Sequence, residues 1–220
     1  MWSEQIIAYC ERTDFSYWAE PINAATNIAF VLAAMLVWPM TRGLPLAQAL
    51  AVVLAVIGLG SFLWHTHATR WAGLADVGPI LIFILLYLFA ATRDFLRLSA
   101  IRAALAVVAF FPYAALMVWL AGILLPGLGA NAAYFSVALL IAGYGVALRH
   151  SPTGRGLLAG AALLCVSLGF RMADDAVCAA FPLGTHFLWH ILNAVMLGWM
   201  IRVYVRHCRA APLAPLAPSR

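Results

Sequence analysis

The sequence predicts an all-α membrane protein, a single bundle of seven transmembrane helices with the N-terminus outside and the C-terminus cytoplasmic. Three observations carry that expectation. Hydrophobic residues make up 65% of the 220 residues and charged residues only 10%, with a mean hydropathy of +0.96; no soluble core of this length absorbs so much apolar surface. The apolar residues fall into seven runs of about 20 residues, the length a helix needs to cross a bilayer. The arginines then sort by side. With the N-terminus outside, ten of them (Arg42, Arg93, Arg97, Arg102, Arg149, Arg155, Arg202, Arg206, Arg209 and Arg220) are cytoplasmic, while the outer loops hold Arg12 and Arg70 and the sixth span carries Arg171 near its outer end. Cytoplasmic loops carry such an excess.

Residues 1–20 form a polar, acidic outer segment, with Glu4, Glu11, Asp14 and Glu20 against Arg12 alone. No basic stretch precedes an apolar one there, so no cleavable signal peptide is expected. Pro21 suits the first turn of a helix, and the first span covers residues 22–40. Asn23 and Asn27 repeat at i, i+4 on it; lipid cannot satisfy an amide, so both should face the bundle interior. The second span covers residues 47–66 and the third 76–92, a hairpin whose closed end carries Ser61, His65 and Asp76. The fourth, 103–124, contains Pro112, which a transmembrane helix tolerates as a kink. The fifth, sixth and seventh cover 132–148, 156–173 and 186–205. The whole chain, 1–220, then reads as one integral-membrane domain, its bundle over 22–205 followed by a basic, proline-rich cytoplasmic tail at 206–220 that is expected to be disordered. The formal charge of +5 comes from arginines scattered among loops, with no lysine in the chain. That distribution argues for a lipid bilayer as partner and against nucleic acid.

Two stretches carry the chemistry. Residues 58–79 read GLGSFLWHTHATRWAGLADVGP, and residues 186–190 read HFLWH. His186 and His190, four residues apart on a helix, project from one face with Cβ atoms about 5–6 Å apart, close enough to share a metal ion. His65 is the candidate third ligand, completing a catalytic zinc set of three protein ligands and one open position. Ser61 lies one turn before His65 on the same face. Polar side chains inside apolar spans are costly and mark function, and the topology directs Ser61, His65, Asp76, Asp174, His186 and His190 to one outer-side pocket. Zinc bound there would lower the pKa of its water to about 7, and the hydroxide would attack a carbonyl. Asp76 is the candidate general base and acid, and Ser61 the candidate donor to the oxyanion. Taken alone, the residues leave plainer readings open. Histidines in helical proteins often serve as hydrogen-bonded core residues, Asp76 could answer to the dipole at a helix start, and Ser61 could bond back to its own helix.

GSFLWHT, then Asp76 with GP just beyond, then HFLWHIL resemble the alkaline ceramidase family; YCER, AEPINAATN and ADDAVC fall in the family's order as well. The family belongs to a superfamily of seven-helix membrane hydrolases that includes the adiponectin and progestin receptors. The resemblance implies zinc on His65, His186 and His190, catalytic roles for Ser61 and Asp76, and hydrolysis of the N-acyl amide of ceramide to a sphingoid base and a fatty acid. It also implies a disulfide between Cys10 and Cys178, both predicted on the outer side, where oxidation is permitted; two free thiols are the alternative. The family's N-terminal calcium segment is incomplete here. Ala8 stands where an acidic residue is expected and Thr13 where asparagine is expected, leaving Glu11 and Glu20 as ligands of a weakened calcium site, short of the six or more oxygens calcium takes.

Two other functions fit the same residues. One is a zinc hydrolase of the same superfamily acting on another lipid amide or ester. The other is a non-enzymatic seven-helix receptor or transporter with structural zinc. The expected location is a bacterial inner membrane with the site facing the periplasm, or an endomembrane with the site facing the lumen.

Overall fold

The computed structural model describes residues 1–210, and these form helices joined by short turns. The expected disordered tail lies outside the described residues from 211 onward, while residues 206–210 belong to the last helix. Among the described residues seven helices are long and apolar enough to cross a membrane. This is the architecture of a multi-pass membrane protein, in which every backbone polar group must be satisfied within its own segment.

The first span is a broken helix. Short α1 (Pro21–Thr26) and α2 (Ile28–Val37) meet at Asn27, and a 3₁₀ turn carries the chain on to Thr41. Asn23 and Asn27 are both buried, and the Asn27 amide donates to the Asn23 carbonyl at 2.8 Å. The remaining helices are α3 (Pro45–His67), α4 (Arg70–Ala90), α5 (Ala100–Leu124), α6 (Ala132–Ala147), α7 (Pro152–Val177) and α8 (His186–Ala210). Prolines occupy the first turns of α1, α3 and α7, where a missing N–H costs nothing. Ser99 and Ser151 cap α5 and α7 by accepting from the backbone N–H of Arg102 and Gly154. α5 runs unbroken through Pro112.

Neighbours in sequence pack as neighbours in space from α2 to α8, and α8 closes the ring against α2 and α3. The short α1 packs against both α3 and α8, which places the end of the N-terminal segment between the helices that carry the histidines. α8 is the most enclosed helix and α5 the most exposed, as expected where one face of each outer helix meets lipid.

Two of the element boundaries that differ from expectation bear on the site. α4 begins at Arg70, because the reversal after α3 needs only Ala68 in the left-handed region and extended Thr69. Asp76 therefore lies in the second turn of α4, beyond the reach of the dipole of the first turn. α7 continues to Val177, so Arg171, Asp174 and Asp175 are helical residues.

Candidate metal centre

His65 lies in the last turn of α3, and His186 and His190 in the first turns of α8. The three rings converge. Centroids are 4.6 Å apart for His186 and His190, 4.7 Å for His65 and His190, and 5.2 Å for His65 and His186. One ligand nitrogen from each lies within 4.8 Å of the others, and all three residues are 1% exposed. His65 Nε2, His190 Nε2 and His186 Nδ1 are buried without a hydrogen-bond partner. A buried polar atom left unpaired costs about 1–3 kcal/mol, and a cation held among the three rings would give all three atoms a partner. A buried three-histidine group that could hold a metal ion is thus present; three neutral nitrogen donors suit zinc among other metals.

The surrounding residues set the tautomers. His65 Nδ1 sits 2.6 Å from Glu20 Oε2, and a carboxylate accepts only, so the Nδ1 proton stays and Nε2 keeps its lone pair. His190 Nδ1 is 3.0 Å from Thr26 Oγ1. The Thr26 hydroxyl donates back to the carbonyls of Ile22 and Asn23, which leaves its oxygen to accept from His190. Both rings thereby present Nε2 to the centre, the partnership that orients metal-bound histidines. Tyr9 stacks on His186, with centroids 3.6 Å apart and an interplanar angle of 18°. Burial pushes the Tyr9 phenol up to about 12 against the opposing charge of Arg171, so it is a neutral wall of the site.

The N-terminal segment is fastened to this end of the bundle. Cys10 and Cys178 form a disulfide, with Cα atoms 5.5 Å apart. Asp174 accepts from three backbone N–H groups, Cys10 at 2.9 Å, Thr185 at 2.7 Å and His186 at 2.9 Å, joining the segment to the start of α8. Its carboxylate is committed to the scaffold. Gly184 adopts φ +63°, and a Cβ there would lie 2.1 Å from Asp174 Oδ1, so only glycine admits that contact.

Ser61 and Asp76 neighbour each other where α3 and α4 meet most closely, and both line one apolar cavity with Ile80, Tyr87, Trp189 and Met196. Ser61 is buried and Asp76 half-buried, and the Asp76 carboxylate lies within Coulombic range of His65 and Arg171. The cavity reaches Ala91, which is about 22 Å from Asp76 along the helix at 1.5 Å per residue. Leu157 and Met200 also line it.

The two carboxylates expected at the weakened calcium site have protein partners. Glu11 accepts from the backbone N–H of Ile22 at 2.7 Å and Asn23 at 2.8 Å, capping α1. Burial pushes its pKa up, and those two N–H groups oppose the shift. Glu20 accepts from His65, from Asn23 Nδ2 at 3.1 Å and from Arg12 Nε. Although burial pushes Glu20 up, His65 and Arg12 hold its pKa below the ordinary value.

Several residues at the centre escape sequence reasoning. Tyr9, Arg12 and Thr26 join the site only through the packing of α1 and the N-terminal segment. Arg171 stands over three rings, with its guanidinium carbon 5.4 Å from the Tyr9 centroid, 5.4 Å from Tyr134 and 5.3 Å from Trp189, and donates to Asn131 Oδ1 at 2.9 Å. An arginine in an apolar span was the available signal. No protein-family model matches the chain, and no curated protein matches it.

Proposed function

We propose that this protein is a zinc-dependent intramembrane amidohydrolase that cleaves the N-acyl amide of a ceramide-like lipid to a sphingoid base and a fatty acid, with its N-terminus and active centre on the outer side of the membrane. The observation that carries the reading is the convergence of three histidine rings with unpartnered nitrogens, with Ser61 one turn before His65 on α3 and with Ser61 and Asp76 lining an apolar cavity. The motifs shared with alkaline ceramidases supply the substrate class, and the distribution of arginines supplies the orientation.

A zinc ion on His65, His186 and His190 would supply a water of lowered pKa and polarise the amide carbonyl. The chain's own residues do the rest. Asp76 takes the proton of the attacking water and delivers it to the leaving nitrogen, so that one carboxylate serves first as base and then as acid. Ser61, at the neighbouring position, donates to the oxygen on which negative charge develops. The cavity holds one hydrocarbon chain. Its lining follows the helix from Asp76 to Ala91, about 22 Å, which exceeds half of the roughly 30 Å hydrocarbon core. Water reaches the amide from the outer end while the chain stays in an apolar environment.

Asp76 and Ser61 side by side in the cavity favour a hydrolase over a receptor with structural zinc, since a structural site has no use for a proton-transfer group at its edge. The test is zinc content with substituted ligands. The purified protein should carry about one zinc per chain, as a three-histidine site requires, and the His186→Ala, His190→Ala double variant should lose it. Unchanged zinc in that variant would refute the site.

A further inference from the structure

Arg12 belongs to an outer loop, where an arginine is ordinarily solvated, yet it is 2% exposed. Its guanidinium is enclosed by oxygens. Nε donates to Glu20 Oε1, Nη1 to the carbonyls of Asp14 and Ser16, both at 3.1 Å, and Nη2 to the carbonyl of His65 at 2.8 Å. One carboxylate and three carbonyls surround a single positive charge, an all-oxygen set of the type a hard cation takes once water supplies its remaining ligands. The cage also has a direction. The His65 carbonyl is one of the last four of α3, which have no partner within the helix and which lie at its negative end. Arg12 therefore grips His65 twice, by its carbonyl directly and by its ring through Glu20.

We propose that Arg12 is the resident cation of the N-terminal loop and the positioning residue of the metal centre, holding Glu20 and the end of α3 so that His65 keeps Nε2 turned toward His186 and His190. The inference rests on the three-histidine reading above. Its chemistry follows from the shape of the guanidinium. A planar fork satisfies four oxygens spread around one plane, whereas a lysine ammonium is a point charge with three donors. Because the charge is built into the chain, the loop needs no added metal to close over the site. Glu11 stays free to cap α1, and Glu20 has its cation already.

The experiment measures zinc affinity, by competition with a chromophoric chelator, for the full-length protein in detergent and its Arg12→Ala and Arg12→Lys variants, with and without millimolar calcium chloride. Helix content and the Cys10–Cys178 disulfide are checked in each. Calcium should not change the wild type. Arg12→Ala should bind zinc about 10–100-fold more weakly, the usual effect of losing a group that orients a metal ligand. Calcium entering the vacated oxygen cage should restore part of the loss, and Arg12→Lys, which keeps the charge and loses the fork, should fall between. Should Arg12→Ala fail to fold, Arg12→Lys carries the test, and wild-type zinc affinity in that variant would overturn the proposal. So would wild-type affinity in a folded Arg12→Ala, a loss that Arg12→Lys shares in full and calcium leaves untouched, or a wild type whose zinc affinity depends on calcium. Wild-type protein without zinc would sink the three-histidine reading itself. Zinc in the wild type and in Arg12→Ala alike would sink only the role of Arg12.

Discussion

Replacing Gly60 by Ala should part Asp76 from Ser61, the pair proposed to be catalytic, while leaving the metal centre in place. A Cβ at Gly60 would lie 2.0 Å from the carbonyl oxygen of Ala75 and 3.3 Å from the backbone nitrogen of Asp76. To reach the 3.4 Å of ordinary contact, the helices must part by about 1.4 Å. α3 is held by α1, α2 and α8 as well as by α4, whereas α4 packs mainly on α3 and α5. α4 is the helix that yields, and it takes Asp76 away from Ser61. His65, His186 and His190 stay on α3 and α8, so zinc content should be unchanged. Overpacking of this kind costs about 1–3 kcal/mol, and a displacement of about 1 Å near a reacting centre costs on the order of 10²-fold in rate. Thermal unfolding and fatty-acid release by the purified variant measure the two effects. Wild-type turnover in Gly60→Ala would refute the claim that the α3–α4 contact sets the geometry of catalysis, and loss of zinc would show that α3 moves instead.

Asp76→Asn and Ser61→Ala should both retain zinc and helix content while losing turnover, by about 10²–10⁴-fold and 10²–10³-fold respectively; near-normal hydrolysis by Asp76→Asn would mean that another group moves the proton. Glu20 supplies a pH dependence. Its folded pKa is held below the ordinary 4.5 by His65 and Arg12, so the unfolded chain binds the proton more readily. The stability it contributes is complete above about 4.5 and is lost as pH falls through the lower folded value. Thermal unfolding between pH 3 and about 6 should show that acid limb in the wild type and a flatter profile in Glu20→Gln, which also leaves the buried Arg12 charge uncompensated at a cost of about 3–5 kcal/mol; an identical limb in the variant would assign it elsewhere. For orientation, an impermeant thiol reagent on intact cells should label Arg70→Cys and spare Arg97→Cys. The reverse pattern would invert the topology.

The parts of this molecule that were legible in its sequence are those governed by the bilayer. Seven apolar runs became seven helices because lipid allows a spanning backbone few other solutions, and Asn23 and Asn27 turned inward for the same reason. The histidine group was legible because the i, i+4 pair and His65 fall at helix ends that the alternation of spans sends to one side. What stayed hidden depends on contacts between distant segments. Nothing local marks Arg12 as buried, since its partners Glu20, Asp14, Ser16 and His65 assemble only when the N-terminal segment folds over α3. Thr26 reaches His190 through the register of α1 against α8, which no periodicity encodes. The start of α4 was misplaced because residues 70–75, RWAGLA, lack the unbroken apolar character of a span, although alanine and leucine there are good helix formers.

The central claim, that the three histidines hold a zinc ion whose chemistry Asp76 and Ser61 apply to an N-acyl amide, is tested most directly by fatty-acid release from a long-chain ceramide before and after metal removal. The zinc-loaded protein should release fatty acid and sphingoid base in equal amounts, lose that activity on treatment with a strong chelator, and regain it when zinc is returned. Release that survives complete removal of the metal, or a zinc-loaded protein that leaves ceramides of every acyl length intact, would contradict it.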